Sequence, residues 1–321
     1  MHEAEALWHT SKENSEIRNT PLSDDGDCLV KSLFSLVSTG TERLVANGQV
    51  PPPLYESMRV PFMEGSFGFP VKYGYSLVGE VVEGAESLVG KHVHLLHPHQ
   101  NYCRVQADAL TVLPEEVSPA RGVLLSNMET ALNAIWDSEV SIGDRVLLVG
   151  FGIIGSLTAR LLRGIAGVEL WVFDKNPGRI QAAQEMGFQT VDRLRYDFDL
   201  AFHCSSSSNG LQACIDHVAF EGKIIELSWY GESSVNLKLG STFHQERKQV
   251  ISSQVSTLPP SRRARWDFER RKVLGIDLLK DKAFDDHLGE IVPFAKTPEL
   301  FRNLRQGSLS ALSWVIEYDN H

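Results

Sequence analysis

Arg145-Val146-Leu147-Leu148-Val149-Gly150-Phe151-Gly152-Ile153-Ile154-Gly155 is an apolar run that stops at a glycine and gives way to helix-compatible residues. A G-x-G-x-x-G pattern alone says little, because glycine is common, but its setting here is specific. Gly150 ends a predicted strand, Gly152 lets the backbone approach a pyrophosphate, and a side chain at Gly155 would hold the next helix off the strand. The start of that helix offers unpaired N–H groups to phosphate. Gly150, Phe151, Gly152, Ile153, Ile154 and Gly155 are therefore predicted to line a dinucleotide. Nineteen residues past Gly155, at the end of the next apolar run, stands Asp174, whose carboxylate can accept from ribose hydroxyls and would repel a 2′-phosphate. NAD is favoured on that ground, while Lys175 and Arg179 offer positive charge that leaves NADP possible. Asp174 has a second reading, as a helix cap ahead of Asn176-Pro177.

The pattern continues downstream. LWVFD (170–174), DLAFHC (199–204), KIIELS (223–228) and KQVISSQV (248–255) read as strands buried on both faces, as in a parallel sheet. Ile154 to Leu162, PGRIQAAQEMG and SNGLQACIDHVAF have helical spacing between them, which gives alternating strands and helices. Gly187 and Gly222 fall where helix C-caps are expected, and Pro177 where a first turn tolerates proline. Ser205 to Ser208 follow a strand and read as small residues leaving room for a cofactor.

Upstream the texture differs. From Cys28 to about Val112, short β-rich runs such as CLVKSLFSLV, YSLVGEVVEG and KHVHLLH alternate with turns, the pattern of an antiparallel β-domain. Prolines at 51, 52, 53, 61 and 70 make Gln49 to Pro70 a long loop. Past the sheet come a charged helix, about Ser261 to Leu279, with a buried Trp266, a strand His287 to Val292, a helix begun by Thr297-Pro298-Glu299, and a strand Leu312 to Tyr318. The expected fold class is α/β: a doubly wound parallel Rossmann sheet over 127–258, beside a β-rich catalytic domain of 1–126 completed by 259–321.

Thirty-one Lys and Arg against 41 Asp and Glu leave a net charge of −10, which would repel a phosphate backbone and excludes nucleic acid as an expected partner. Cys28, Cys103, Cys204 and Cys214 are scattered with no C-x-x-C pair, so neither a disulfide framework nor a Cys-rich zinc lobe is expected. MHEAEALWHTSKENSEIRN lacks the apolar core of a signal peptide, and no run is long enough for a membrane helix. The expectation is a cytoplasmic protein with a small-molecule substrate and no membrane partner.

Ser38-Thr39-Gly40-Thr41-Glu42 resembles the C-G-T-D segment of the medium-chain dehydrogenase/reductase superfamily, the zinc alcohol dehydrogenase-like proteins. Gly74-Tyr75-Ser76-Leu77-Val78-Gly79-Glu80-Val81 is similar to that superfamily's G-H-E-x-x-G-x-V segment, and the resemblance runs over nearly the whole chain. STGTERL, followed by a Pro-rich stretch, is similar to the hydroxyethyl-bacteriochlorophyllide dehydrogenase branch. NMETALNAIWD (127–137), ELSWYG (226–231), SSQV (252–255) and RRARW (262–266) resemble related bacterial proteins of unassigned substrate. The resemblance implies a GroES-like fold for the β-rich domain, a substrate cleft beside the Rossmann domain, Thr130 near the nicotinamide, and a homodimer formed at the sheet edge carrying SSQVSTL.

The departures say more. Zinc-dependent members hold the metal with a Cys in the first segment, a His in the second and a Cys or Glu before the Rossmann unit; here those slots hold Thr39, Tyr75 and Ser126. Neutral hydroxyls replace thiolate, imidazole and carboxylate, and residues 85 to 105 hold only Cys103 where the structural-zinc lobe would be. No zinc and no other metal site is expected.

Without a metal, side chains must stabilise the developing alkoxide. Tyr75 fills a former ligand slot and can donate a hydrogen bond, or it packs with Tyr73 and Phe69. By the resemblance Thr41 matches the hydroxyl that relays a proton, or it caps a turn; Glu42 pairs with Arg43 or another cation. His99 reads as a proton shuttle or a solvated loop histidine, and convergence of His94, His97 and His99 on one ion is doubtful because Pro98 breaks their register. Glu129 favours a helix N-terminus. The expected activity is zinc-independent, NAD(P)-dependent hydride transfer between nicotinamide and an alcohol or carbonyl. The alternatives are a quinone or enone reductase and a non-catalytic NAD(H)-binding redox sensor.

Overall fold

The computed structural model describes residues 4–193, 197–307 and 311–319. They form two compact units, divided after Ser126 and again after Gly275: residues 4–126, 276–307 and 313–319 make one, and 127–275 with 311–312 the other. Among the described residues no helix is long and apolar enough to cross a membrane.

The second unit is a six-stranded parallel sheet. In space its strands run Gln189–Thr190, Glu169–Phe173, Arg145–Val149, Phe198–His203, Val218–Glu226 and Gln249–Ser252. Strand order reverses at Arg145–Val149, the doubly wound arrangement that makes a crevice beyond the carboxyl ends of the strands. Alternation divides the core. Val146 and Leu148 pack with Ala159, Leu162 and Phe202 on one face, while Leu147 and Val149 pack with Ala201, Leu211 and Ile215 on the other. Helices Ile153–Arg163, Pro177–Glu185 and Ser208–His217 lie between the strands in sequence. Pro177 opens its helix behind the cap Asn176, and Gly187 just past its end adopts φ +75°.

Three expectations need correction here. Gly222 is not a cap: Ser208–His217 ends directly into an extended Val218, and Gly222 lies inside Val218–Glu226. The charged helix is shorter than its charge pattern implies, spanning Phe268–Leu278. Trp266 precedes it and is partly exposed, its ring tilted against Trp136 at 4.8 Å and lying under the Arg270 guanidinium, and residues 259–275 belong to the second unit.

The first unit carries two sheets. A seven-stranded one is ordered Glu290–Pro293, Trp314–Glu317, Cys28–Val37, Leu77–Glu83, His92–Leu95, Thr111–Val112, with Tyr102–Val105 also pairing with Cys28–Val37. Trp314 sits opposite Val37, so the C-terminal strand closes onto the first long strand. The N-terminus, polar by composition, forms the hairpin Ala4–His9 and Ser15–Thr20, and Val71–Lys72 and Glu64–Gly65 extend it into a second sheet. Within the β-rich sequence stands a short α-helix, Thr39–Ala46, which begins where the strand Cys28–Val37 ends.

Candidate functional site

The helix Thr39–Ala46 builds the site. One turn in, Glu42 reaches back so that Ser38 N–H donates to its Oε1 at 2.8 Å, which satisfies a backbone donor at the start of the helix. Its Oε2 accepts from His99 Nε2 at 2.8 Å, and both side chains are fully buried. His99 Nδ1 lies 2.8 Å from Ser35 Oγ, which lies 2.8 Å from the Tyr318 hydroxyl. A neutral imidazole satisfies every member when Tyr318 donates to Ser35, Ser35 to His99 and His99 to Glu42. Burial pushes the Tyr318 phenol well up, so it stays a donor.

Tyr75 stands beside this chain. Burial, then the charge of Glu42, push its phenol up to about 12, against opposing hydrogen bonds to the side chains of Ser38 and Thr41. The ring meets Tyr73 edge-on at 6.0 Å, and the side chain remains partly exposed. Tyr75, Thr41 and His99 thus come together around Glu42. Two readings change: His99 is not a solvated loop residue, and Glu42 pairs with His99 while Arg43 is exposed. Neighbours one apart on a helix do not face each other, so Arg43 is badly placed to reach Glu42.

The other polar candidates go elsewhere. Ser126 Oγ donates to Tyr75 O at 2.8 Å and lies 3.2 Å from His94 Nε2, and Ser76 Oγ also lies 3.2 Å from that nitrogen. His97 stacks on Phe62 at 5.1 Å with its Nδ1 2.9 Å from Pro98 O, and burial pulls it down to about 3. His94, His97 and His99 therefore have separate partners, and among the described residues no three potential ligands gather on one point.

In the Rossmann unit the glycine loop has the expected form. Gly150 adopts φ +102°, and a Cβ there would come 2.7 Å from Ser205 N. A Cβ on Gly155 would drive into the Gly150 carbonyl oxygen. Gly152 caps Ile153–Arg163 without a side chain, leaving that helix start open to an anion. Phe151 is split in role: its ring is buried 5.6 Å from Phe188, and its N–H donates to Asp174 Oδ2 at 2.7 Å. Asp174 Oδ1 accepts from Asn176 N–H at 2.8 Å, and Arg179 Nη1 lies 3.8 Å from Oδ2. The cap of Pro177–Glu185 is Asn176, not Asp174. Thr130 is partly exposed on Leu125–Ser138, and its neighbour Glu129 pairs with Arg271 at 3.2 Å rather than only facing a helix end.

Sequence reasoning missed a second pair, of a buried histidine and a partly exposed glutamate. His203 and Glu226 end adjacent parallel strands, are register partners, and sit 2.8 Å apart beside Ser205. The available signal was a histidine and a glutamate each closing an apolar strand run.

No family model matches the chain. It is 24% identical over 248 residues to (R,R)-butanediol dehydrogenase of Bacillus subtilis, covering 67% of this chain and 69% of that protein. It is 27% identical over 226 residues to 2-desacetyl-2-hydroxyethyl bacteriochlorophyllide A dehydrogenase of Rhodobacter capsulatus, covering 64% of this chain and 66% of that one. In fold it superimposes on a candidate zinc-binding dehydrogenase of Sinorhizobium meliloti, solved bound to NADP, with TM-score 0.77, 17% identity and coverage of 99% and 100% of the two chains. The resemblance to alcohol dehydrogenase-like oxidoreductases therefore holds in sequence, among relatives that are dehydrogenases, and in fold.

Proposed function

We propose that the protein is an NAD(P)-dependent oxidoreductase that interconverts an alcohol and a carbonyl without zinc. The observation that carries this reading is the protonated Tyr75 phenol in a slot where zinc-dependent relatives hold a metal ligand. Kept near 12 by burial and by Glu42, it is a hydrogen-bond donor across the physiological range and still far more acidic than an aliphatic alcohol.

The glycine loop fits a dinucleotide. A Cβ at Gly150 would strike the Cys204-Ser205 backbone and one at Gly155 the Gly150 carbonyl, so the tight loop ahead of the helix requires both glycines, and Asp174 stands at the end of the adjacent strand. The nicotinamide, when bound, accepts or supplies the hydride. Tyr75 donates to the substrate oxygen and gives up its proton as negative charge develops there, and the Thr41 hydroxyl relays a replacement proton from solvent to the phenolate as it passes on its own. Glu42, locked by His99 and Ser38, holds the tyrosine in its protonated form. Zinc does not fit the same slots. The hydroxyls of Thr39 and Ser126 and a phenol near 12 are poor donors for Zn²⁺, and Ser126 already donates to Tyr75 O. Metal analysis of protein purified without chelators should find well under one zinc per chain, with activity unchanged by a chelator. Stoichiometric zinc would refute this part of the reading.

Steady-state assays with NADH and NADPH across carbonyls, enones and quinones test the whole. Turnover of a carbonyl is the expected result, and turnover confined to enones or quinones, or none, overturns it. Coenzyme preference is set in this reading by Asp174. Asp174→Ala, with Lys175 and Arg179 retained, should move the NADH/NADPH ratio of kcat/KM toward NADPH by about tenfold, the scale of one charge at a ribose phosphate. An unchanged ratio removes Asp174 from the coenzyme site. The exposed edge strand Gln249–Ser252 is the surface on which a homodimer would form, and sedimentation tests that.

A further inference from the structure

The pair His203 and Glu226 is left over from this mechanism. His203 is fully buried, and the Glu226 side chain is 12% exposed. Both Glu226 oxygens are engaged: Oε1 accepts from Ser228 N–H at 2.7 Å, Oε2 from the Tyr230 hydroxyl at 3.0 Å, and both lie within 2.9 Å of His203 Nδ1. On the far side of the ring Nε2 lies 2.7 Å from Ser205 Oγ, which lies 2.9 Å from Ser207 Oγ, and Gly210 N–H donates to Ser207. One direction satisfies the whole chain: Gly210 to Ser207, Ser207 to Ser205, Ser205 to a neutral His203, and His203 to Glu226. The arrangement ends on a carboxylate held in one orientation by fixed donors.

Its place in the sheet gives it meaning. Ligands of open parallel sheets lie beyond the carboxyl ends of the strands on either side of the point where strand order reverses. That point is Arg145–Val149 and the glycine loop. Asp174 lies on one side, the side of the adenosine ribose in the reading above. Phe198–His203 and Val218–Glu226 end on the other, and Gly150 packs against the Cys204-Ser205 backbone. The nicotinamide half of a dinucleotide therefore falls to the strand ends that carry this carboxylate. An oxidised nicotinamide is a cation and a reduced one is neutral, so a fixed anion discriminates between them by Coulomb attraction alone. His203 meets Glu226 through a hydrogen bond that its neutral form makes, so the carboxylate charge is not cancelled by that contact.

We propose that Glu226, held in place by His203, makes the dinucleotide site favour the oxidised nicotinamide over the reduced one. Glu226 acts as a specificity determinant and His203 as its positioning residue. The proposal rests on the reading that the glycine loop holds a dinucleotide.

Calorimetric titration of the full chain with NAD⁺ and with NADH, substrate absent, reads it directly. Glu226→Gln keeps the shape and most of the hydrogen bonds while removing the charge. It should weaken NAD⁺ about tenfold and leave NADH within about twofold. Glu226→Asp, which restores the charge, should recover most of the NAD⁺ affinity, whereas a purely structural role would make Asp no better than Gln. His203→Gln should fall between wild type and Glu226→Gln. Circular dichroism melts confirm that each variant is folded, and Glu226→Asp still reports on charge if Glu226→Gln is not. Equal weakening of both dinucleotides, or no change in either, overturns this inference while leaving the dinucleotide site standing. Failure of the wild-type chain to bind either dinucleotide overturns both.

Discussion

Tyr75→Phe should lower kcat/KM for carbonyl reduction by about 10²–10³, the usual loss when one preorganised donor to a developing oxyanion is removed. The substitution deletes one hydroxyl and keeps the ring, so the edge-on contact with Tyr73 survives and stability should change little. KM should move less than kcat, because the bond matters most when charge has accumulated on the substrate oxygen. Dinucleotide affinity should be untouched, which separates a chemical defect from a folding one. A variant within about threefold of wild type would exclude Tyr75 as the donor, at a threshold well below the expected loss.

Glu42→Ala should destabilise the β-rich unit by about 2–6 kcal/mol, the cost of leaving two buried donors without an acceptor. Two donors lose their acceptor together, the ring N–H of His99 and the backbone N–H of Ser38, and neither is near water. Glu42→Gln retains a carbonyl oxygen for one of them and should cost about half as much. Urea unfolding followed by intrinsic fluorescence gives the comparison. A loss for Ala below about 1 kcal/mol would show that solvent or a rearranged Ser35 replaces the carboxylate. The same variant tests the tyrosine: without the negative charge its phenol loses one of the two influences holding it near 12, and the alkaline limb of the rate profile should move to lower pH.

The parallel sheet was legible because strands buried on both faces read as unbroken apolar runs, and RVLLVG and DLAFHC have no other comfortable state. The N-terminal hairpin was not legible, since Ser15–Thr20 spells SEIRNT and alternates only weakly between inside and outside. Thr39–Ala46 was hidden by its length, two turns inside a β-rich stretch. In the site, residue types could be named from the family segments, but partnerships could not. Glu42 and His99 are 57 positions apart and Ser35 and Tyr318 283 apart, distances over which only the completed sheet decides who meets whom. The nearest cation in sequence, Arg43, was therefore the wrong partner. His203 and Glu226 were missed for a different reason: each ends a run whose apolar members dominated the reading, and their facing becomes visible only when two strands are set side by side.

That facing has a consequence for assembly. Phe202 pairs with Ile225 and His203 with Glu226 in the observed alignment of the two central strands. Sliding one strand by a single residue would set the carboxylate opposite Phe202 and the imidazole opposite Leu227, and would turn Ile225 away from the core it fills. A carboxylate stranded among apolar side chains is far more costly than a misplaced methyl group. The pair therefore adds a polar term to the apolar one that already holds this alignment: a sheet slipped by one residue would lose both the Ile225 burial and the His203–Glu226 contact.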